Sequence, residues 1–205
     1  IGGYPMPRLP EQNQAIKDKR RQKLMDSALK VFACKDYSSV TIDNITKVSK
    51  CSHGLFYHYF PSMGNMLRAV YNEIILGSRI DLHLDASSAL HGAEGLEIVC
   101  KNVETMSSVS GKDLSILLAV LLISQSEKAE EDCPEFRKRF DVRPLFGRLI
   151  REGQKEGKVI DGSPDDLVRA LFLLIRGSLM RKKISGGAER PIPGKILYRM
   201  FVKGV

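Results

Sequence analysis

Residues 41–62 read TIDNITKVSKCSHGLFYHYFPS, and their punctuation sets two short helices about a tight turn. Thr41 is an N-cap residue, because a threonine hydroxyl accepts a hydrogen bond from a free N–H of the first helical turn. Ile42, Ile45 and Val48 then recur at helical spacing as a small apolar stripe. Ser49 and Lys50 supply the turn, and Cys51 adds a small side chain that fits against a core. Ser52 caps a second helix over 53–60. Pro61 ends it, since proline has no N–H to donate and biases its predecessor away from helical geometry. This second helix has two faces. Phe56 and Phe60 demand burial, while Ser52, His53, Gly54, Leu55, Tyr57 and His58 occupy the other side.

Upstream, Leu24, Ala28, Val31 and Phe32 line one side of a longer helix over 13–35, with basic residues opposite. Long, short, short with a tight turn between the last two is a helix-turn-helix. An α-helix fits the major groove of DNA, and a helix packed across it fixes its angle. Residues 13–61 are therefore expected to form a domain that binds double-stranded DNA. Polar rings and hydroxyls on the outward face suit phosphates and base edges, and Gly54 lets the backbone come close. The other reading of Tyr57, His58 and Tyr59 is an aromatic cluster inside a small core.

Charge distribution agrees with a polyanion partner. Of the net +8, residues 1–60 hold +5, from ten Lys and Arg against five Asp and Glu. Residues 61–205 hold 22 against 19. The cluster Lys17, Lys19, Arg20, Arg21, Lys23 dominates, and neutralising phosphates releases condensed counterions. Basic runs are also common as solvated helix faces, so the cluster counts only beside the helix-turn-helix.

Downstream, Ser62 caps a helix with the stripe Met63, Met66, Leu67, Val70 and Ile74. Further helices are expected at 92–108, 113–129, 134–156, 164–184 and 192–203. The start at Ser163 is the clearest: Pro164 sits at the first helical position, and Asp165 and Asp166 favour the positive end of the helix dipole. Pro144 should kink or split the helix that contains it. No strand alternation and no repeat appear. The fold class is thus all-α: a flexible leader over 1–12, a three-helix DNA-binding domain over 13–61, and a larger helical bundle over 62–205. Residues 114–123 are apolar almost without a break, and a helix apolar all round belongs inside a bundle.

With 205 residues, 43% hydrophobic and 27% charged, the chain is long enough to bury a core. It opens at Ile1, which reads as a processed or trimmed start. Residues 1–10 hold three prolines and two glycines but no apolar stretch of the signal-peptide kind. The longest apolar run, 116–123, falls far short of the roughly 20 residues a membrane span needs. A soluble, cytoplasmic protein without a membrane partner is expected. Cys34, Cys51, Cys100 and Cys133 stand alone, with no CxxC pair and no histidine beside them at metal-ligand spacing, so reduced thiols and no metal or cofactor are expected. His83 and His91 are single. No nucleophile triad, GxGxxG or Walker sequence is present, and an enzyme is not expected.

Residues 20–67, RRQKLMDSALKVFACKDYSSVTIDNITKVSKCSHGLFYHYFPSMGNML, resemble the DNA-binding domain of the TetR family of transcriptional repressors. The marks are ALKVFA, the aromatic Tyr37, TIDNIT, and LFYHYF followed by a serine cap. Beyond this stretch the likeness is one of organisation. The resemblance implies phosphate contacts from Thr41, Tyr57 and Tyr59, and a groove-facing set of His53, Leu55 and His58, with Ser52 and Gly54 on the same face. Lys17, Lys19 and Arg20 would lie near the backbone or minor groove. Three residues depart from the family pattern: Lys50 where glycine is usual, Leu55 in place of a small polar residue, and Met63 in place of lysine. The first implies backbone strain or a different local turn, the second a thymine-methyl contact, and the third one phosphate contact fewer.

One recognition helix covers few base pairs, so a homodimer on a palindromic operator is expected. Its interface is placed on Leu167, Leu171, Leu174, Gly177, Ser178, Ile196 and Met200. Arg169, Arg176 and Lys183 repeat every seven residues and read as a solvated stripe or an interface rim. The apolar middle helices suggest that a small, mostly apolar effector releases a repressor from its operator, with the pocket residues left open. The alternative is a helical DNA-binding or scaffold protein with no effector.

Overall fold

The structure is a computed structural model that describes residues 10–78 and 89–204. It is all-α. The N-terminal head comprises α1 (Pro10–Phe32), a 3-10 turn (Tyr37–Ser39), α2 (Ile42–Ser49) and α3 (His53–Tyr59). Helix α4 (Met63–Val70) runs on into a π-helical turn (Tyr71–Ile75). The body holds α5 (Gly92–Ser107), α6 (Gly111–Ile123), α7 (Glu127–Asp132), α8 (Pro134–Phe140), α9 (Arg143–Lys155), α10 (Pro164–Ile184) and α11 (Gly194–Arg199). The expected leader falls mostly outside the described residues, as does His83, and α1 already begins at Pro10.

Two expected helices divide. The span 113–129 breaks after Ile123, and Ser126 then caps α7 by accepting from the Ala129 amide at 3.4 Å. The span 134–156 breaks at Asp141 and Val142, which leaves Pro144 in the first turn of α9, where its missing N–H costs nothing. The last helix stops at Arg199 because the chain turns extended. There Val202 pairs with Val159 as an antiparallel bridge, and the Ile160 amide donates to the Phe201 carbonyl at 3.0 Å. Helix α5 has no cap of its own at His91. Carboxylates of α9 and the residue after it serve instead: Gly92 N–H donates to Glu152 at 2.9 Å and Ala93 N–H to Glu156 at 3.2 Å.

At the centre stands α6, buried at Leu114 and at every position from Ile116 to Ile123. Helices α1, α8 and α10 pack around it. In the head, α1 buries Leu24, Met25, Ala28, Leu29 and Phe32. The expected α2 stripe is corrected at one position. Val48 is 48% exposed, and the buried face is Ile45, Thr46 and Ser49. The two hydroxyls donate back to helix carbonyls, Thr46 to Asp43 and Ser49 to Thr46, and so pack like small apolar groups while α1 and α2 approach closely.

Between α2 and α3, Lys50 adopts a left-handed conformation (φ 53°, ψ 43°), the one positive φ at a non-glycine among the described residues. Its amide and that of Cys51 turn back to the Thr46 carbonyl and close the turn. A side chain there carries a steric cost that glycine avoids.

Polar contacts tie the head to α4 and to the body. The Arg21 guanidinium donates to both Glu73 oxygens at 2.5 Å and lies 5.3 Å from the Phe60 ring centroid. Buried Tyr37 donates to Asp132 at 2.7 Å, and Arg68 donates to the Asp132 carbonyl at 2.7 Å. Burial first, then the Asp132 carboxylate, drives the Tyr37 phenol far above its ordinary range, so it remains a donor. Lys112 of α6 meets Asp26 of α1 at 3.2 Å.

The Arg21 hydrogen bonds hold the Glu73 carboxyl below its usual range, outweighing its partial burial. A lowered folded value stabilises above the unfolded pKa of about 4.3 and is lost as pH falls through the folded one. Arg21→Gln is expected to cost about 0.5–1 kcal/mol near neutrality, since the pair is partly exposed. In urea unfolding against pH, the gap to the parent chain should close below the ordinary carboxylate range; a pH-independent gap would contradict the clamp. Lys50→Gly is expected to raise stability by up to about 1 kcal/mol in the same assay, the left-handed cost being offset in part by glycine's unfolded-state entropy.

Candidate nucleic-acid interface

The outward face is set by what α3 must hide. Phe56 and Phe60 are buried in the core, their ring centroids 5.9 Å apart. With those two fixed, the helical repeat turns Ser52, His53, Gly54, Tyr57 and His58 to the exterior, and leaves Leu55 and Tyr59 half-buried. Tyr57 is 54% exposed and stands edge-on to Phe56 with centroids at 5.7 Å. Tyr59 packs against the core and meets His58 edge-on at 4.9 Å. The aromatic cluster thus divides: Phe56 and Phe60 make core, Tyr57 and His58 face out, and Tyr59 lies at the border.

Both helices start on the expected caps. Ser52 Oγ accepts from the Leu55 amide at 3.2 Å. Thr41 Oγ1 accepts from the Asn44 amide at 3.3 Å, and Asn44 Oδ1 returns the bond to the Thr41 amide, closing a capping box. Asn44 Oδ1 also accepts from Lys35 at 3.2 Å, which brings that ammonium to the start of α2. Thr41 is exposed, as are Lys17, Lys19 and Arg20 along α1.

Two participants escape sequence reasoning. Arg21 belongs to the basic cluster but is committed to Glu73 and the Phe60 ring. Asp43 puts a carboxylate beside the recognition helix, 2.7 Å from Lys47 and 3.6 Å from His53. The Lys47 hydrogen bond, with His53 behind it, keeps Asp43 ionised below the ordinary range. His53 is thereby oriented from the neighbouring helix. No spacing rule announces such a cross-helix contact.

Of the residues expected at a dimer interface, Leu171 is 0% exposed and belongs to the chain's own core. Leu167, Leu174 and Ser178 are half-buried or partly exposed, and Ser178 Oγ accepts from the Ile192 amide at 2.9 Å. Gly177, Ile196 and Met200 are exposed, and next to Leu174 the neighbouring Leu173 is 59% exposed. Among the described residues all four cysteines are free, no group of His, Cys, Asp or Glu is arranged to hold a metal, and no helix is long and apolar enough to cross a membrane.

Comparison with known proteins agrees with this geometry. Residues 24–70 match the N-terminal domain described as "Bacterial regulatory proteins, tetR family". The chain is 44% identical over 55 residues to the uncharacterized HTH-type transcriptional regulator YuxN of Bacillus subtilis (strain 168). It is 27% identical over 134 residues to the transposon Tn10 TetC protein of Escherichia coli. These matches take in 26% and 65% of this chain, and 19% of YuxN and 66% of TetC. Among solved structures, the MbdR regulator from Azoarcus sp. CIB superposes over 91% of this chain and 98% of its own, with a TM-score of 0.56 at 19% identity. HlyIIR, a hemolysin II transcriptional regulator, superposes over 92% and 99%, with a TM-score of 0.54 at 14% identity. At such identities these two show the shared fold. Residues 24–70 thus match the N-terminal DNA-binding domain of the tetR family of bacterial regulatory proteins, on a body that shares the fold of MbdR and HlyIIR.

Proposed function

We propose that this chain is a cytoplasmic repressor that binds a palindromic operator as a homodimer and leaves it when a small molecule enters the body. The observation that carries the DNA-binding half is the division of α3, with Phe56 and Phe60 locked in the core and Ser52, His53, Gly54, Tyr57 and His58 facing out. His53, Leu55 and His58 read base edges. Thr41 and Tyr57 hold phosphates at the two ends of the motif, Tyr59 supports them from the border, and Lys17, Lys19 and Arg20 add backbone charge. Phosphate contacts position the protein and base contacts specify the site.

The dimer rests on exposed apolar surface of α10 and α11. Leu173, Ile196 and Met200 are exposed, and open space lies over Gly177, where a second helix can come close. The effector reading rests on an apolar crevice in the body, lined by Val99, Val103, Met106, Leu121, Phe146 and Phe172 among others. Its volume is about 40 Å³. That is close to the space of a single water, so an effector must displace side chains to enter. The path to the head runs through α8. Phe136 and Phe140 pack on Tyr71 of the π-helical turn, with centroids at 5.5 and 6.2 Å, and that turn continues α4. A π turn inside a helix is a common place for a functional bend. Tilting α4 would change the separation of the two recognition helices in a dimer, and rigid half-sites could no longer meet both at once.

Tyr57→Ala and Thr41→Ala are expected to weaken binding to all duplexes alike and to leave the salt slope nearly unchanged, since neutral hydroxyls release no counterions, whereas Lys19→Gln should reduce the slope by about one. His53→Ala should relax preference at one or two base positions, at a cost of about 1–3 kcal/mol on the best site. Fluorescence anisotropy across salt concentrations and a randomised-site selection read these out. Unchanged affinity in Tyr57→Ala would remove α3 from the groove.

A further inference from the structure

We propose that the body's ligand is an amphipathic organic acid, its anionic head held by Arg151 and Arg176 and its apolar part seated behind Phe172. This rests on the reading of the body as an effector domain and adds the chemistry of the effector.

Between the α8–α9 junction and α10 lies an open cleft of about 480 Å³. Five arginines line it, Arg137, Arg143, Arg151, Arg169 and Arg176, against two carboxylates, Asp141 and Asp165. Asp141 is already taken: Arg143 donates to it at 2.6 and 2.7 Å, and Arg137 approaches at 3.4 Å. Arg169 has only an exposed contact with Asp166 at 3.4 Å. Among the described residues, no ion pair engages Arg151 or Arg176. Gly147 lies one turn before Arg151, and a Cβ on it would meet the guanidinium in ordinary van der Waals contact at 3.5 Å. Unneutralised guanidiniums gathered in a concavity focus a positive potential, and their planar forks match carboxylate or phosphate oxygens.

Apolar side chains share the cleft with the arginines, and one of them belongs to two compartments. Phe172, 7% exposed, lines the arginine cleft and also the apolar crevice, where it meets Phe146 edge-on at 5.3 Å. The Phe172 ring is therefore common to the charged space and the apolar one. A purely apolar ligand would leave the arginines unneutralised, and a simple anion would leave the crevice unused. An occupant with both parts satisfies both at once when Phe172 moves aside. The expectation of a mostly apolar effector thus becomes one of an apolar molecule with an oxyanion end. A rival anchor is Lys182, a buried ammonium that donates to the carbonyl of crevice-lining Ser107 at 2.9 Å.

Calorimetric titration of the full chain, without DNA, tests this with octanoate, octan-1-ol and inorganic phosphate. Octanoate should bind about tenfold or more tightly than either of the others, the difference a charge-assisted hydrogen bond makes. The double variant Arg151→Gln, Arg176→Gln should lose that advantage and keep its octanol affinity, with circular dichroism checking the fold. No binding of octanoate at millimolar concentration, equal binding of octanoate and octanol, or phosphate binding as tightly as octanoate would overturn the proposal. So would loss of octanoate binding in Lys182→Met with none in the arginine variant. Octanoate that binds as expected but leaves DNA affinity unchanged would uphold the site and reject the effector reading.

Discussion

Everything in this chain hangs on α6. A helix buried from Ile116 to Ile123 on every side cannot face water anywhere, so other helices must close around it. Two of them, α8 and α10, come from the body. The third is α1, the first helix of the head. Its 23 residues span about 34 Å, long enough to serve the head's own core and the flank of α6 together. The burial that satisfies α6 therefore also anchors the DNA-binding head. Arg21 on Glu73 and Tyr37 on Asp132 then fix its angle at two further points.

The same arrangement joins the body to the head at further points. Asp132 ends α7 and touches both Tyr37 of the head and Arg68 of α4. An ideal Cβ on Gly64 would lie 2.7 Å from the Asp132 carboxylate, so α4 reaches α7 this closely because that position has no side chain. Helix α8 comes directly after and packs its two phenylalanines on the π turn of α4. The arginine cleft takes in Arg137 of α8 and Asp141 just after it. A ligand there would press on the short helix that wedges the linker, and its influence is bounded by its preference for one state over the other.

Legibility in the sequence tracked the range of each interaction. Caps are local chemistry, and Thr41, Ser52, Ser62 and Ser163 all accept the amide bonds expected of them. The outward face of α3 was readable because Phe56 and Phe60 have only one place to go. Faces set by a distant neighbour were not. On α2, Val48 lost its place to Thr46 and Ser49, whose hydroxyls bond within the helix and admit α1. On α10, apolar residues occur on both sides, and periodicity could not tell that Leu171 points inward while Leu173 points out. Arg20 and Arg21 are adjacent in a basic run, yet a step of one residue around α1 sends the second into a clamp. Arg169 and Arg176 are exposed, as a solvated stripe or an interface rim would be, but the arginines of α8 and α9 that share their cleft come from across a gap in sequence and no periodicity brings them together.

Amide hydrogen exchange of the full chain, with and without a saturating DNA duplex at low salt, tests the central claim most directly. Bound DNA should protect residues 41–59 and the exposed stretch around Lys17 to Arg20, and leave α10 and α11 unchanged apart from effects of dimer formation seen without DNA. Protection confined to the body, with the amides of α3 exchanging as in the free chain, would contradict it.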